Sequence, residues 1–182
     1  LTLWYAGIFT ISSCLAFLFF YLLIADFIQE RTDQELLEQV NDFSQILNLR
    51  GIETVKRIAV REAQAAGEKK VFMRLLYANG SVFSSSNMSY WQTIDVGQDA
   101  IRQLINGSSP VFETINVFGH DHKVRVIYGL LSPRIILQLG VSMEGYSRFI
   151  EAFQKISLVT MSLLIVVAAL IGWFMARHAL AG

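Results

Sequence analysis

The sequence has very little cysteine and no surplus of charge of either sign. Cys14 is the only thiol among 182 residues, and it lies in an apolar run, so the polar part of the chain has no cysteine for a disulfide or a zinc site. The chain carries 15 basic and 15 acidic residues, and 14 of the basic and all 15 of the acidic ones lie between positions 26 and 155. A segment so close to neutral is a poor partner for nucleic acid or for anionic lipid.

Motifs of common enzyme chemistry are also missing. The serines at 84–86 have no nucleophile-elbow pattern around them and no histidine nearby to suggest a triad. The chain has no glycine-rich phosphate loop, and Asn79-Gly80 is explained as a turn. We therefore predict no catalytic residue and no cofactor within this sequence.

Two runs without any charged residue, Leu1–Ala25 and Ile156–Ala176, stand at the two ends of the polar segment. Each is long enough to cross a bilayer as a helix, which takes about 20 residues. The first run lacks the basic start and the small-residue exit of a cleaved signal peptide, so we predict a true membrane span. Leu1 is not an initiator residue, and we expect a few residues before it.

The predicted domains follow from these runs. They are a first span at 1–25, a domain at 26–155 on one side of the membrane, a second span at 156–176 and a short exit segment at 177–182. Arg177 and His178, directly after the second run, suggest a cytoplasmic location for that end.

An apolar stripe continues beyond the first run. Leu36, Val40, Phe43 and Leu47 recur at spacings of four, three and four in a polar sequence, which predicts a long amphipathic helix that ends before Gly51. Two interpretations remain open at this stage. The stripe packs on the domain's own sheet, or it forms the seam of a dimer. A second short helix is predicted from Ile52 to about Gly67.

The remaining pattern predicts five strands. Asn79-Gly80 between two apolar runs is a strong hairpin signal, because both turn residues must accept positive φ. A short helix follows at Gln98–Ile105, and from Met143 a helix leads into the second span. The predicted strands are 71–77, 81–84, 111–117, 123–131 and 134–142. This order predicts an α+β domain with a five-stranded antiparallel sheet, similar to a PAS-like sensor domain, preceded by a long N-terminal helix.

Four segments of the chain resemble bacterial transmembrane sensor histidine kinases of two-component systems. They are Leu1–Tyr5, Val124–Tyr128, Leu137–Glu144 and Ala176–Leu180. The resemblance implies a homodimer in the cytoplasmic (inner) membrane, with the central domain facing the periplasm or the exterior. It also implies that 177–182 opens a HAMP linker. The phosphoaccepting histidine and the ATP-binding domain of such kinases lie beyond HAMP, so no residue of this chain can correspond to them.

A ligand pocket is predicted between one sheet face and the polar stretch 84–96. Tyr90 and Trp91 are candidates to cover a small molecule, and Arg74 and Arg125, both on predicted strands, are candidates to bind an anionic group. The alternative for all four residues is core packing or surface salt bridging. His120 and His122 are weak candidates for a metal site, because zinc or copper generally needs three or four ligands.

Ala168, Gly172 and Ala176 are spaced four residues apart in the second apolar run. Small residues at this spacing allow helices to approach closely in lipid, which predicts a homodimer with a four-helix transmembrane bundle.

The predicted function is signal input and transmembrane relay for a histidine kinase, with an unidentified ion, small molecule or protein as the signal. A chemoreceptor, a cyclic-dinucleotide enzyme with the same input architecture, and a membrane-tethered partner-binding protein are the alternatives.

Overall fold

The computed structural model describes residues 2–107, 109–117 and 122–180. Side chains at 2–3, 5–6, 175–176 and 178–180 lie outside this description. The chain forms two compact units. Unit 1 comprises Leu1–Ile28 and Tyr146–Gly182, and unit 2 comprises Gln29–Gly145.

The helices and strands agree with the predicted order. The four helices are α1 at Thr2–Arg50, α2 at Ile52–Ala66, α3 at Gln98–Gly107 and α4 at Glu144–Leu180. The five strands are β1 at Val71–Tyr77, β2 at Val82–Ser85, β3 at Val111–Asn116, β4 at Lys123–Ser132 and β5 at Ile135–Ser142.

Unit 2 is built on one sheet with the strand order β2-β1-β5-β4-β3, and every neighbouring pair is antiparallel. The predicted Asn79-Gly80 turn joins β1 to β2. Gly80 has φ 84°, and its N–H donates to the carbonyl of Tyr77 at 2.9 Å. The Asn79 side chain accepts from the Ser81 N–H at 3.0 Å. The prediction of an α+β domain with a five-stranded antiparallel sheet is confirmed.

Alternation along the strands separates two apolar clusters, one on each face of the sheet. The helix face, covered by α1 and α2, buries residues such as Met73, Leu137 and Leu139. The loop face, covered by α3 and the stretch 86–97, buries residues such as Phe72, Val126 and Ile136. The strands are therefore apolar on both sides, as expected of a sheet covered on both faces.

The stripe on α1 packs against the domain's own sheet. Leu36, Val40 and Phe43 are 1%, 3% and 1% exposed and belong to the cluster on the helix face, while Leu47 is half-buried against it. Of the two interpretations of this stripe, packing on the sheet is the one the structure supports.

Two glycines on the sheet leave room for a neighbouring side chain. A methyl group at Gly129 on β4 would overlap the Val40 side chain of α1, and one at Gly140 on β5 would overlap the Phe72 ring. Glycine at these positions thus leaves room for an apolar side chain directly over the strand backbone.

In unit 1 two helical segments are long and apolar enough to cross a membrane by length and composition. Their apolar side chains are largely exposed, as Leu18 at 55% and Leu163 at 62% illustrate. Such surfaces are expected of a helix surrounded by lipid.

We predict that Gly129→Ala destabilises unit 2 by about 1–3 kcal/mol, because the added methyl group overpacks the contact with Val40. Thermal unfolding of the full chain in detergent measures the change. Adding Val40→Ala should remove part of the penalty, and Gly107→Ala, where nothing lies within 4 Å, is the matched control. Equal midpoints for Gly129→Ala and the parent protein would contradict the proposed close packing.

Candidate functional site

A buried ion pair connects α1 to the helix face of the sheet. Arg125 on β4 donates from Nε to Oδ1 of Asp33 at 2.7 Å and from Nη2 to Oδ2 at 2.6 Å. Its Nη1 donates to the Thr114 hydroxyl at 2.7 Å. The two charged side chains are only 11% and 24% exposed. A two-point bond to a carboxylate fixes orientation as well as distance, so this pair positions α1 on the sheet.

A row of hydrogen-bonded polar side chains lies across three strands on the loop face. Arg74, Gln138 and Tyr128 lie directly opposite one another on β1, β5 and β4. Arg74 Nη1 donates to Gln138 Oε1 at 3.3 Å, and Gln138 Nε2 donates to the Tyr128 hydroxyl at 2.9 Å. The same hydroxyl accepts from the N–H of Gly97 at 2.9 Å. These bonds tie three strands to the start of α3.

Arg74 also holds the loop that covers this face, because its Nη1 donates to the carbonyl of Ile94 at 2.9 Å. Among the described residues its Nε and Nη2 have no hydrogen-bond partner. The guanidinium is therefore half-buried, fixed at one nitrogen, and able to donate to an anionic group from two others.

Burial changes the acid–base chemistry of this group. Burial lowers the pKa of Arg74, while the nearby Tyr128 and Asp95 side chains raise it by a smaller amount. Burial raises the pKa of Tyr128, while the hydrogen bond from Gly97 lowers it. Burial, with a smaller contribution from Asp99, raises the pKa of Glu113, which lies beside Gly97. The ordinary effect of desolvation, which disfavours each charged form, is thus the leading cause in all three cases.

The two predicted aromatic residues lie on the loop face but differ in role. Trp91 is fully buried, packs on Phe72 with ring centroids 5.4 Å apart, and donates from Nε1 to the carbonyl of Glu68 at 2.7 Å. Tyr90 is half-buried, lies edge-on to Trp91, and stacks on His122 at 6.4 Å. Trp91 has the contacts of a core residue, and Tyr90 is the more accessible of the two.

The four predicted ligand-binding residues do not share one surface. Arg74, Tyr90 and Trp91 lie on the loop face, whereas Arg125 lies on the helix face and binds Asp33. Arg125 thus forms a buried ion pair, whereas the alternative prediction for it was core packing or a surface salt bridge.

Of the two candidate metal ligands, His120 lies outside the described residues. The described part of the chain contains no group of three or more histidine, cysteine, aspartate or glutamate side chains that could hold a metal ion.

In unit 1, Ala168 and Gly172 are half-buried while Leu170 and Ile171 between them are exposed. The predicted small-residue face at these two positions is therefore the more covered face of α4, and the side chain of Ala176 lies outside the description. A cavity of about 670 Å³ lies between the helices and is lined by residues of both, among them Cys14, Phe17, Tyr21, Phe153 and Met161.

Asp33, Thr114, Gln138 and Tyr128 were not predicted as site residues. Thr114, Gln138 and Tyr128 lie on strands that were predicted correctly, and Asp33 lies on the predicted long N-terminal helix. The missing information was the long-range partner of each polar side chain, since Asp33 and Arg125 are 92 positions apart.

We predict that Asp33→Asn destabilises unit 2 by about 1–3 kcal/mol, because it leaves the buried Arg125 without its charged partner. The matched control is Glu35→Gln, which removes an exposed pair with Arg31 on the same helix and should change stability by less than about 0.5 kcal/mol. Thermal unfolding of the full chain measures both. The double variant Asp33→Asn/Arg125→Leu should cost less than the sum of its single changes, and additive costs would refute the coupling.

Glu113→Gln should stabilise unit 2 at neutral pH, and the gain should shrink as the pH falls. The raised pKa means that the folded protein binds the Glu113 proton more tightly than the unfolded chain does. Its contribution to stability is therefore present at low pH and lost as the pH rises through the folded pKa. Melting curves from about pH 3.5 to about pH 7.5 test this, with exposed Glu30→Gln as the control. A gain that does not vary with pH would argue against a charge effect.

No protein-family model matches the chain, and no curated protein matches it. Among solved structures, a crystal structure of the CusS sensor domain with silver bound is similar to this chain, with 19% sequence identity and a TM-score of 0.40. The likeness covers 68% of this chain and 96% of that one. A likeness of this degree assigns neither a ligand nor a function to this chain.

Proposed function

We propose that this chain is the signal-input region of a bacterial membrane sensor histidine kinase. Unit 2 is its PAS-like extracytoplasmic domain, and the two apolar helices cross the cytoplasmic membrane. The residues after the second apolar run open a HAMP linker, and two copies form a homodimer. The domain detects an extracytoplasmic signal, and the helices carry its effect to a cytoplasmic kinase.

The observation that carries this proposal is the continuity of α1. One unbroken helix from Thr2 to Arg50 contains both residues 2–25 of the first apolar run and the segment that binds the sheet through Asp33, Val40 and Ser44. A helix is stiff along its axis because every turn is hydrogen-bonded to the next. A shift of α1 on the sheet would therefore shift the apolar segment of the same helix.

The second apolar helix is also joined directly to the sheet. Strand β5 ends at Ser142, α4 begins at Glu144, and the Met143 N–H between them donates to the carbonyl of Lys123 at 2.8 Å. Met143 is the only residue between β5 and α4, and the first turn of α4 contains one glycine, Gly145. Both apolar helices thus continue from elements of the sheet domain, which suits a relay better than a flexible tether.

In this proposal the signal binds at the loop face. Arg74 is the proposed anchor for an anionic group, because its Nε and Nη2 have no partner among the residues that the structure describes. Tyr90 is the proposed accessible aromatic neighbour. A signal can shift the receptor only by its difference in affinity for the two states, and the bonds from Arg74 to β5 and to the covering loop are contacts that can differ between them.

The relay can be tested in a chimera that joins residues 1–182 to the HAMP and kinase domains of a characterised sensor histidine kinase. Insertion of one, two, three or four alanines after Lys155 rotates the following helix by about 100° per residue. We predict that autophosphorylation in membrane vesicles varies with this rotation and returns towards the parent level at four residues. The four-residue insertion is the matched control, because it adds the most length but nearly restores the phase. Kinase activity that is equal in all chimeras would refute the relay.

A further inference from the structure

The outer surface of the helix layer in unit 2 carries separated charges. Glu38 and Asp42 are exposed on α1, and Arg57 and Arg61 are exposed on α2. The spacing of four residues within each pair places both members on one side of their helix. Within the described residues none of these four side chains forms an ion pair, although Arg31–Glu35 and Lys56–Glu53 do so on the same helices.

The two charged stripes run side by side in opposite directions. Contacts of Asp33 with Arg125 and of Val40 with Gly129 make α1 parallel to β4. Strand β1 is parallel to β4, since both pair antiparallel with β5. Helix α2 runs against β1, because Lys56 lies over Phe83 near the end of β1 while Gly67 accepts from Val71 at its start.

The stripes also lie at the same level of the sheet. Val40 covers Gly129 on β4. Gly129 pairs with Leu137 on β5, and Leu137 pairs in turn with Leu75 on β1. Lys56 lies over Phe83, and the next residue of β2, Ser84, pairs with Leu75. Val40 on α1 and Lys56 on α2 therefore mark the same height. The acidic pair on either side of Val40 and the basic pair just after Lys56 share one zone of the layer.

We infer that this surface is a dimer interface in which Glu38 and Asp42 of one copy face Arg57 and Arg61 of a second copy of this chain. Two copies held in one membrane point the same way, and in the proposed dimer the twofold axis runs parallel to the part of α1 that packs on the sheet. Such an axis preserves height and places α1 of each copy opposite α2 of the other. The acidic stripe of one copy then meets the basic stripe of the second, twice.

A feature of the single chain supports a second copy as the partner at this surface. Burial, with a smaller contribution from the charge of Asp42, raises the pKa of Glu62 on α2, so Asp42 and Glu62 are near enough for their charges to interact. Arginines from a second copy would add opposite charge beside these two carboxylates. Like-charged stripes facing each other would instead oppose association, which makes the α1-to-α2 pairing the preferred one.

This inference rests on the homodimer of the proposed function. The experiment distinguishes failure of this interface from failure of the homodimer. The test protein is the full chain with Cys14→Ser, Gln34→Cys and Gln64→Cys, oxidised in membrane vesicles. Gln34 is exposed four residues before Glu38, and Gln64 is exposed three residues after Arg61. We expect disulfide-linked dimers from this protein and far fewer from either single cysteine, because 34 faces 64 of the other copy and not its own equivalent.

Charge reversal then tests the pairing itself. Glu38→Arg/Asp42→Arg should lower the cross-linked yield severalfold, and so should Arg57→Glu/Arg61→Glu. Combining all four changes in one chain should restore the yield, as should coexpression of the two reversed proteins. This rescue also shows that the reversed proteins fold.

The remaining outcomes count against the inference. Cross-links that are insensitive to charge reversal, or absent while light scattering in detergent shows a dimer, would overturn this interface and leave the proposed homodimer intact. A monomer by light scattering, with no cross-links in vesicles, would overturn both.

Discussion

The packing of α1 on β4 is the constraint on which the rest of unit 2 depends. Asp33 meets Arg125, Val40 covers Gly129, and the Ser44 hydroxyl donates to the carbonyl of Leu131 at 3.2 Å. The seven helix residues from Asp33 to Val40 span about 10 Å, and the four strand residues from Arg125 to Gly129 span about 13 Å. The next interval is about 6 Å on both elements. Because the spacings match closely, α1 cannot slide by one turn without losing all three contacts together.

The packing of α1 on β4 also couples the two faces of the sheet. Along β4, Arg125, Ile127 and Gly129 serve the helix face, while Val126 and Tyr128 serve the loop face. A change in the hydrogen bonds of Tyr128 therefore acts on the same strand that holds α1. Closely packed interiors change between discrete arrangements and do not deform gradually, so such a strand can transmit a displacement across the sheet.

The sequence predicted the fold better than the site, and particular residues show why. The hairpin at Asn79-Gly80 and the stripe through Leu36 and Phe43 are local patterns, because period and turn chemistry are visible within a few residues. Trp91 was a candidate to cover a ligand because it stands in a polar stretch, and core packing was the alternative. Its burial depends on Phe72 and on the carbonyl of Glu68, which only the tertiary fold brings to it.

Charged residues were the hardest to place, and their physics explains this too. Arg74 and Arg125 both stand on strands among apolar residues, yet one binds the covering loop and the other binds α1. Strand alternation assigns each side chain to a face of the sheet, but it does not identify the group that the side chain will contact on that face. The near-zero net charge likewise gave no hint that Glu38 and Asp42 are exposed on α1 while Arg57 and Arg61 are exposed on α2. Net charge sums over the surface, whereas recognition depends on where each sign lies. In this domain the informative quantity is therefore the placement of charge on the two faces and on the helix layer.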